Sequence, residues 1–202
     1  NITAWMTDHD GRLRVAVATD GVNQTLLYRE KENEDFEPVL TTNFKETVAP
    51  LFFTFDNRKL YVVSNRERDK AAIFVFDPRT AKEEQMLFEH PEVDVAWMTY
   101  SHKRKVPTVI RYTTWKTEFK FLDKESEADF KTVSAELPGY EIHFVSANKN
   151  EDKYIVMASS GRAPGKIYFF DKTTNQLEFI SHVAPWLPEN ELAEMKPVKY
   201  VS

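Results

Sequence analysis

The sequence predicts an all-β fold: a β-propeller fragment of about four blades, each of four antiparallel strands, closing with a short C-terminal helix and linker. Three observations predict it. Aromatic residues make up 13% of the 202 residues, with 15 phenylalanines, and they gather in short runs beside β-branched residues. Those runs recur at a fixed spacing. Polar turns that can reverse a strand lie between them.

The runs include Leu51-Phe52-Phe53-Thr54-Phe55, Leu60-Tyr61-Val62-Val63, Ile73-Phe74-Val75-Phe76 and Ile167-Tyr168-Phe169-Phe170. Four to six such residues bounded by turn chemistry form buried strands, because rings and branched side chains pack well on a pleated surface. Ile73–Thr80 matches Ile167–Thr174 at an offset of 94, and Lys59-Leu60-Tyr61-Val62 matches Lys153-Tyr154-Ile155-Val156 at the same offset. Ala4-Trp5-Met6-Thr7 matches Ala96-Trp97-Met98-Thr99 at 92. At half that step Phe121-Leu122-Asp123 aligns with Phe76-Asp77 and Phe170-Asp171, and Glu30 takes the same place in the first unit.

The units therefore span approximately 2–47, 48–92, 93–139 and 140–182, and 183–202 remains as a linker. Each opens on a strand such as Leu51–Phe55. A polar turn leads to a second strand, Leu60–Val63 or Tyr154–Ala158. A variable loop leads to a third, Ile73–Phe76 or Ile167–Phe170. An Asp turn then leads to a fourth, Gln85–Phe88 or Gln176–Ile180. Four strands in ~40–45 residues is one propeller blade. A β-sandwich is the competing fold, but it does not require identities at one fixed offset. The Trp-Asp and Gly-His marks of one propeller class are missing. In the tail, Pro188 and the acids after it suit a helix start. Pro197 would stop that helix. Val198-Lys199-Tyr200-Val201-Ser202 alternates like an opening strand. With the missing initiator methionine, this suggests a piece of a longer protein.

Composition narrows the chemistry. There is no cysteine, hence no disulfide, thiolate metal site or cysteine nucleophile. Five glycines, without a Gly-rich phosphate motif, disfavour nucleotide binding. A net charge of −5 disfavours nucleic acid. No apolar run approaches the ~18 residues of a membrane helix. Ser159-Ser160-Gly161 lacks the first glycine of a nucleophile elbow and suits a loop. The histidines His9, His90, His102, His143 and His182 are scattered, without metal-ligand spacing. Asp8-His9-Asp10-Gly11 holds only part of a calcium loop and suits a turn. His102-Lys103-Arg104-Lys105 suits a solvated turn, as does the pair Glu83-Glu84. No metal and no cofactor is expected.

Propeller geometry puts the loops between second and third strands on the face that carries the links between blades and the chain's entrance and exit. These loops hold Asp20-Gly21-Val22-Asn23, Asn65-Arg66-Glu67-Arg68, Thr113-Thr114-Trp115-Lys116 and Ser160-Gly161-Arg162-Ala163. Arg and Trp favour binding surfaces. Arg66, Arg68, Trp115 and Arg162 are thus the candidate contact residues; none is a candidate catalytic residue.

Trp186-Leu187-Pro188 followed by Leu192-Ala193-Glu194-Met195-Lys196-Pro197-Val198-Lys199-Tyr200-Val201-Ser202 resembles a junction in the prolyl oligopeptidase family of serine peptidases, where the last blade meets an α/β-hydrolase domain. The aromatic repeats with their Asp turn resemble that family's propeller. The resemblance implies a non-catalytic part that gates substrate and contacts peptide, in a dipeptidyl-peptidase- or acylaminoacyl-peptidase-like parent. The nucleophile, acid and histidine would lie in a hydrolase domain outside this chain. Its partners would be that domain and a peptide, with neither nucleic acid nor membrane. Open blade edges would invite oligomers. The paired propeller glutamates of dipeptidyl-peptidase-like members are not assigned to Glu83-Glu84, whose place after the third strand faces the wrong side. Two alternatives stay open: a stand-alone propeller scaffold, and a hydrolase with its site in the propeller channel. The second needs converging carboxylates or metal ligands on first strands that are here mainly aromatic and aliphatic. The compartment stays open between bacterial periplasm and cytoplasm.

Overall fold

A computed structural model describes residues 1–198 and residue 200. The predicted alternation of aromatic runs and polar turns folds into antiparallel sheets of consecutive strands. The first holds β1 (Ile2–Thr7), β2 (Leu13–Thr19), β3 (Gln24–Tyr28) and β4 (Glu37–Thr42) in that order. The second holds β5 (Val48–Phe53), β6 (Leu60–Ser64), β7 (Ala72–Asp77) and β8 (Lys82–Phe88). The third holds β9 (Val95–Ser101), β10 (Val106–Thr113) and β11 (Thr117–Phe121). The fourth holds β12 (Glu141–Ala147), β13 (Lys153–Ser159), β14 (Lys166–Asp171) and β15 (Gln176–His182).

The backbone repeats as the sequence does. Asn57 and Glu151 both take the left-handed conformation in the first turn of their blades, and Ala81 and Asn175 both take it in the third. The first strands of the second and fourth sheets bulge at Leu51 and at Val145, where the pairing skips one residue. All three pairs stand 94 residues apart. The Asp turn forms as expected: Asp77 Oδ1 accepts from the Arg79 N–H (2.9 Å), and Asp171 Oδ1 from the Thr173 N–H (2.9 Å).

The third unit departs from the repeat. Its sheet has three strands, and helix α1 (Lys124–Glu136) stands where a fourth was expected. Asp123, aligned with the Asp turns, still caps backbone, but its carboxylate accepts the Ser126 N–H (2.9 Å) and starts a helix. Glu125 and Glu127 in the first turn suit the helix dipole. Phe130, Val133 and Leu137 then recur at helical rather than alternating spacing. The tail helix expected at Pro188 is only a 3-10 turn, Glu189–Glu191. The strand expected at 198–202 falls largely on 199, 201 and 202, outside the described residues; Val198 and Tyr200 belong to no strand.

The chain divides into two compact units, 1–99 with 110–120, and 100–109 with 121 onward. In the first unit, buried Val15, Leu26, Tyr28, Val48, Phe53, Leu60, Val62, Phe74 and Phe76 form a core shared by the first two sheets. Each such fully buried large side chain contributes about 1.5–3 kcal/mol. Arg14 pins the two sheets together at the edge of this core. Its guanidinium donates to the carbonyls of Asn57 (2.7 Å) and Arg29 (3.3 Å) and to the Tyr28 hydroxyl, and lies over the Tyr28 and Phe53 rings. In the second unit, Val133 of α1 packs with Ile142, Val156, Ala158 and Phe170 of the fourth sheet. Phe130 and Leu137 extend the same stripe of the helix.

Candidate functional site

Antiparallel alternation puts the loops after every second strand on one side of a blade. In the first unit these loops do meet the blade links. The Asn65 side chain accepts from the Thr47 N–H (2.6 Å) and donates to the Lys45 carbonyl (3.1 Å), both in the link before β5. The Ala71 N–H donates to Asp94 Oδ1 (2.7 Å), and the Val95 N–H to the Ala71 carbonyl (2.9 Å), in the next link. The chain enters beside the first such loop, where Asn1 and Thr19 exchange backbone bonds. In the second unit it leaves beside the last, where the Val183 N–H donates to the Gly165 carbonyl (2.9 Å).

The first loop is fixed by Asp20, which accepts from the N–H groups of Asn23 (2.7 Å) and Val22 (2.9 Å) and from the Asn23 amide (2.9 Å). The Asn23 bonds, then that of Val22, hold its carboxyl down at about 2. Arg66 and Arg68 share the second loop and both fold back along their own blade. The Arg66 guanidinium reaches the Ala81 carbonyl at 3.4 Å. That of Arg68 lies over the Phe74 ring (4.4 Å) and faces Glu83 (3.7 Å) and Glu89 (3.9 Å). Trp115, on the β10–β11 loop, is 59% exposed with the Lys116 ammonium over its ring. Arg162 stands on the exposed β13–β14 loop of the second unit, its N–H donating to Ser160 Oγ (3.3 Å).

Glu83 and Glu84 lie inside β8, not in a turn. The pairing with β7 skips Glu84, a β-bulge that separates the two side chains from regular alternation. Glu83 accepts from the Ser64 hydroxyl and faces Arg68, whereas Glu84 takes the Lys59 ammonium. The basic run at 102–105 is a turn, as expected, but not a wholly solvated one. Arg104 is 21% exposed and meets Asp123 (2.7 Å), Glu125 (3.3 Å) and Glu151 (3.3 Å). Asp8 is buried, accepts from the Asp10 and Arg12 N–H groups (3.0 Å each) and pairs with Arg14 (3.5 Å), which is turn chemistry.

Ser160 likewise serves its loop, accepting from the Ala163 N–H (3.0 Å). Among the described residues no group of three or more His, Asp or Glu side chains stands together as a metal site, and no helix is long and apolar enough to cross a membrane. A mainly apolar groove of about 260 Å³ runs beside β1 and β5, lined by Trp5, Met6, Val17, Gln24 and Val48 among others. The Ala-Trp-Met-Thr repeat marks both exposed ring positions on first strands, Trp5 and Trp97.

No family model matches the chain. Dipeptidyl aminopeptidase BIII of Pseudoxanthomonas mexicana is 26% identical over 209 aligned positions, which cover all of this chain and 29% of that protein. A puromycin-hydrolyzing peptidase of Mycobacterium tuberculosis superposes with a TM-score of 0.57 at 17% identity, over 98% of this chain and 30% of that one. A second puromycin hydrolase gives 0.56 at 16% identity, over 94% and 30%. The chain is thus similar in sequence to a stretch of a dipeptidyl aminopeptidase, and in fold to a stretch of each of these hydrolases. The resemblance drawn from the tail and the Asp-turn repeats is thereby supported, and the structural likenesses establish the fold. The chain spans under a third of the length of each of these relatives.

Proposed function

We propose that this propeller segment is the non-catalytic part of a serine peptidase, gating access to a hydrolase domain and contacting the peptide. The relation to a dipeptidyl aminopeptidase along the whole chain carries this reading, because it maps every blade onto part of a peptidase. The second-to-third strand loops supply the contacts. Arg66 and Arg68 present guanidinium groups braced on their own blade, Trp115 an exposed ring, and Arg162 a cation on the loop nearest the chain's exit. Guanidinium groups suit peptide carbonyls and carboxylates, and an exposed indole suits an apolar side chain. Chemistry is left to the hydrolase domain, since Ser160 is committed to its turn.

Two measurements test this. The purified 202-residue chain should not cleave dipeptidyl or acyl-peptide chromogenic substrates; cleavage would refute the non-catalytic role. In a protein that includes the hydrolase domain, Trp115→Ala and Arg162→Ala should raise KM for peptides by about threefold to tenfold each, the loss of one exposed contact. Unchanged kinetics in both, and in Arg66→Ala, would remove the peptide-contact reading.

A further inference from the structure

We propose that residues 183–195 form a strap that latches onto the β13–β14 loop, so that this loop and the segment leaving the last blade move as one body. The loop Ser160-Gly161-Arg162-Ala163-Pro164-Gly165 holds two of the chain's five glycines, and the strap touches both. A Cβ on Gly161 would stand 2.8 Å from the Met195 carbonyl oxygen, so only glycine lets the two backbones approach. The Met195 N–H donates to the Gly161 carbonyl at 2.9 Å. At the other end of the loop, Gly165 has φ +138° and stands against the Val183 side chain; a Cβ there would meet Val183 Cγ2 at 3.0 Å. Its carbonyl accepts the Val183 N–H.

Between these ends a side-chain clasp closes the strap. Lys166 Nζ, 19% exposed, meets Glu189 Oε1 at 3.0 Å and donates to the Tyr140 hydroxyl at 2.7 Å. The Tyr140 hydroxyl, then Glu189, hold the ammonium above its ordinary pKa. The strap keeps its curvature through bonds of its own, Leu187 N–H to the Ala184 carbonyl (3.0 Å) and Glu191 N–H to that of Pro188 (3.0 Å). Its apolar groups are not what seats it: Trp186 is 75% exposed and Met195 78%. The latch is therefore made of backbone bonds and one ion pair, a weak and reversible set. Arg162 sits in the middle of the latched loop. Resting on the proposed function, a peptide held at Arg162 would favour the latched form, and release of the strap would loosen that contact.

Amide hydrogen exchange on the chain tests the latch without any peptide, so its outcome is separate from that of the proposed function. The Met195 amide should be protected in the wild type and exchange about tenfold faster in Gly161→Ala, the loss of one hydrogen bond, with β13 and β14 unchanged. In Lys166→Met the amides of Glu191 and Leu192 should also exchange faster. Arg162→Ala, which leaves every latch contact in place, should behave as the wild type. An unprotected Met195 amide in the wild type, or one equally protected in Gly161→Ala, overturns the proposal. Should Gly161→Ala unprotect the whole fourth sheet, Lys166→Met decides: faster exchange at 191–192 supports the strap and unchanged exchange overturns it.

Discussion

Replacing Arg104 by methionine keeps most of the side chain's length and removes its charge. Asp123 (2.7 Å), Glu125 (3.3 Å) and Glu151 (3.3 Å) then lose their cation, and the Ser126 hydroxyl loses a donor (3.1 Å). The Asp123 side chain is 17% exposed and that of Glu151 12%, so water replaces the guanidinium poorly. A hydrogen bond to a charged group contributes about 1.5–3 kcal/mol, and orphaning a fully buried partner costs about 3–5 kcal/mol. With Glu125 45% exposed, the expected loss lies in the upper part of the first range, at about 2–3 kcal/mol. Urea unfolding followed by far-UV circular dichroism measures it. The pH dependence has a definite sign. Burial alone would raise the Asp123 carboxyl, but bonds from Ser126 and Arg104 outweigh it and hold the group below its ordinary value of 3.8. Its stabilisation is present above that value and fades as pH falls through the depressed one. In Arg104→Met the fading should begin at higher pH. Asp123→Asn preserves the helix cap, so the double-mutant cycle isolates the ion pair, with a coupling of about 1–2 kcal/mol. A change below about 0.5 kcal/mol for Arg104→Met, or a coupling near zero, would refute this account of how α1 is held.

Phe76 is fully buried in the core of the first two sheets, and Phe76→Ala should cost about 3–5 kcal/mol in the same unfolding assay. Asp171 is held down at about 2, first by the Lys153 ammonium and then by the Thr173 hydroxyl. Its contribution is present above the ordinary value of 3.8 and lost as pH falls towards 2, so the melting temperature of Asp171→Asn should vary less than the wild type's across that window.

The repeat was legible because a blade needs the same parts each time: Asp77 and Asp171 cap the same turn, and Asn57 and Glu151 bend the same backbone. α1 was not read, although the signals were present. Asp123 is an N-cap residue, Glu125 and Glu127 follow it, and Phe130, Val133 and Leu137 lie at helical spacing. Extending the repeat through Asp123 hid them, since an Asp that caps a turn and one that caps a helix are locally alike. The folding back of Arg66 and Arg68 was beyond sequence because it depends on cross-strand register, which brings Phe74, Met86 and Glu83 within reach of Arg68 and the Ala81 carbonyl within reach of Arg66. The strap was hidden for another reason. Gly161 has an ordinary φ, so its need for glycine comes from a backbone more than thirty positions away.

Relation to a dipeptidyl aminopeptidase raises the question whether Glu83 and Glu84 could hold a peptide's terminal ammonium. Two carboxylates can do so only if both reach one point about 3 Å away. A β-bulge at Glu84 breaks the alternation of this strand, and the two carboxylates are held by different partners, Glu83 by the Ser64 hydroxyl and Glu84 by the Lys59 ammonium. Each carboxylate also has its own cation, Arg68 for Glu83 and Lys59 for Glu84. Freeing Glu83 would leave the buried Ser64 hydroxyl without its acceptor, a cost of about 1–3 kcal/mol before any ligand is bound. The loops on the face of the blade links carry arginines, which repel an ammonium and suit oxygen acceptors. Under the proposed function, then, this segment should grip a peptide by its carbonyls or carboxylates, and Glu84→Gln should leave the KM for a dipeptidyl substrate unchanged while Arg162→Glu raises it.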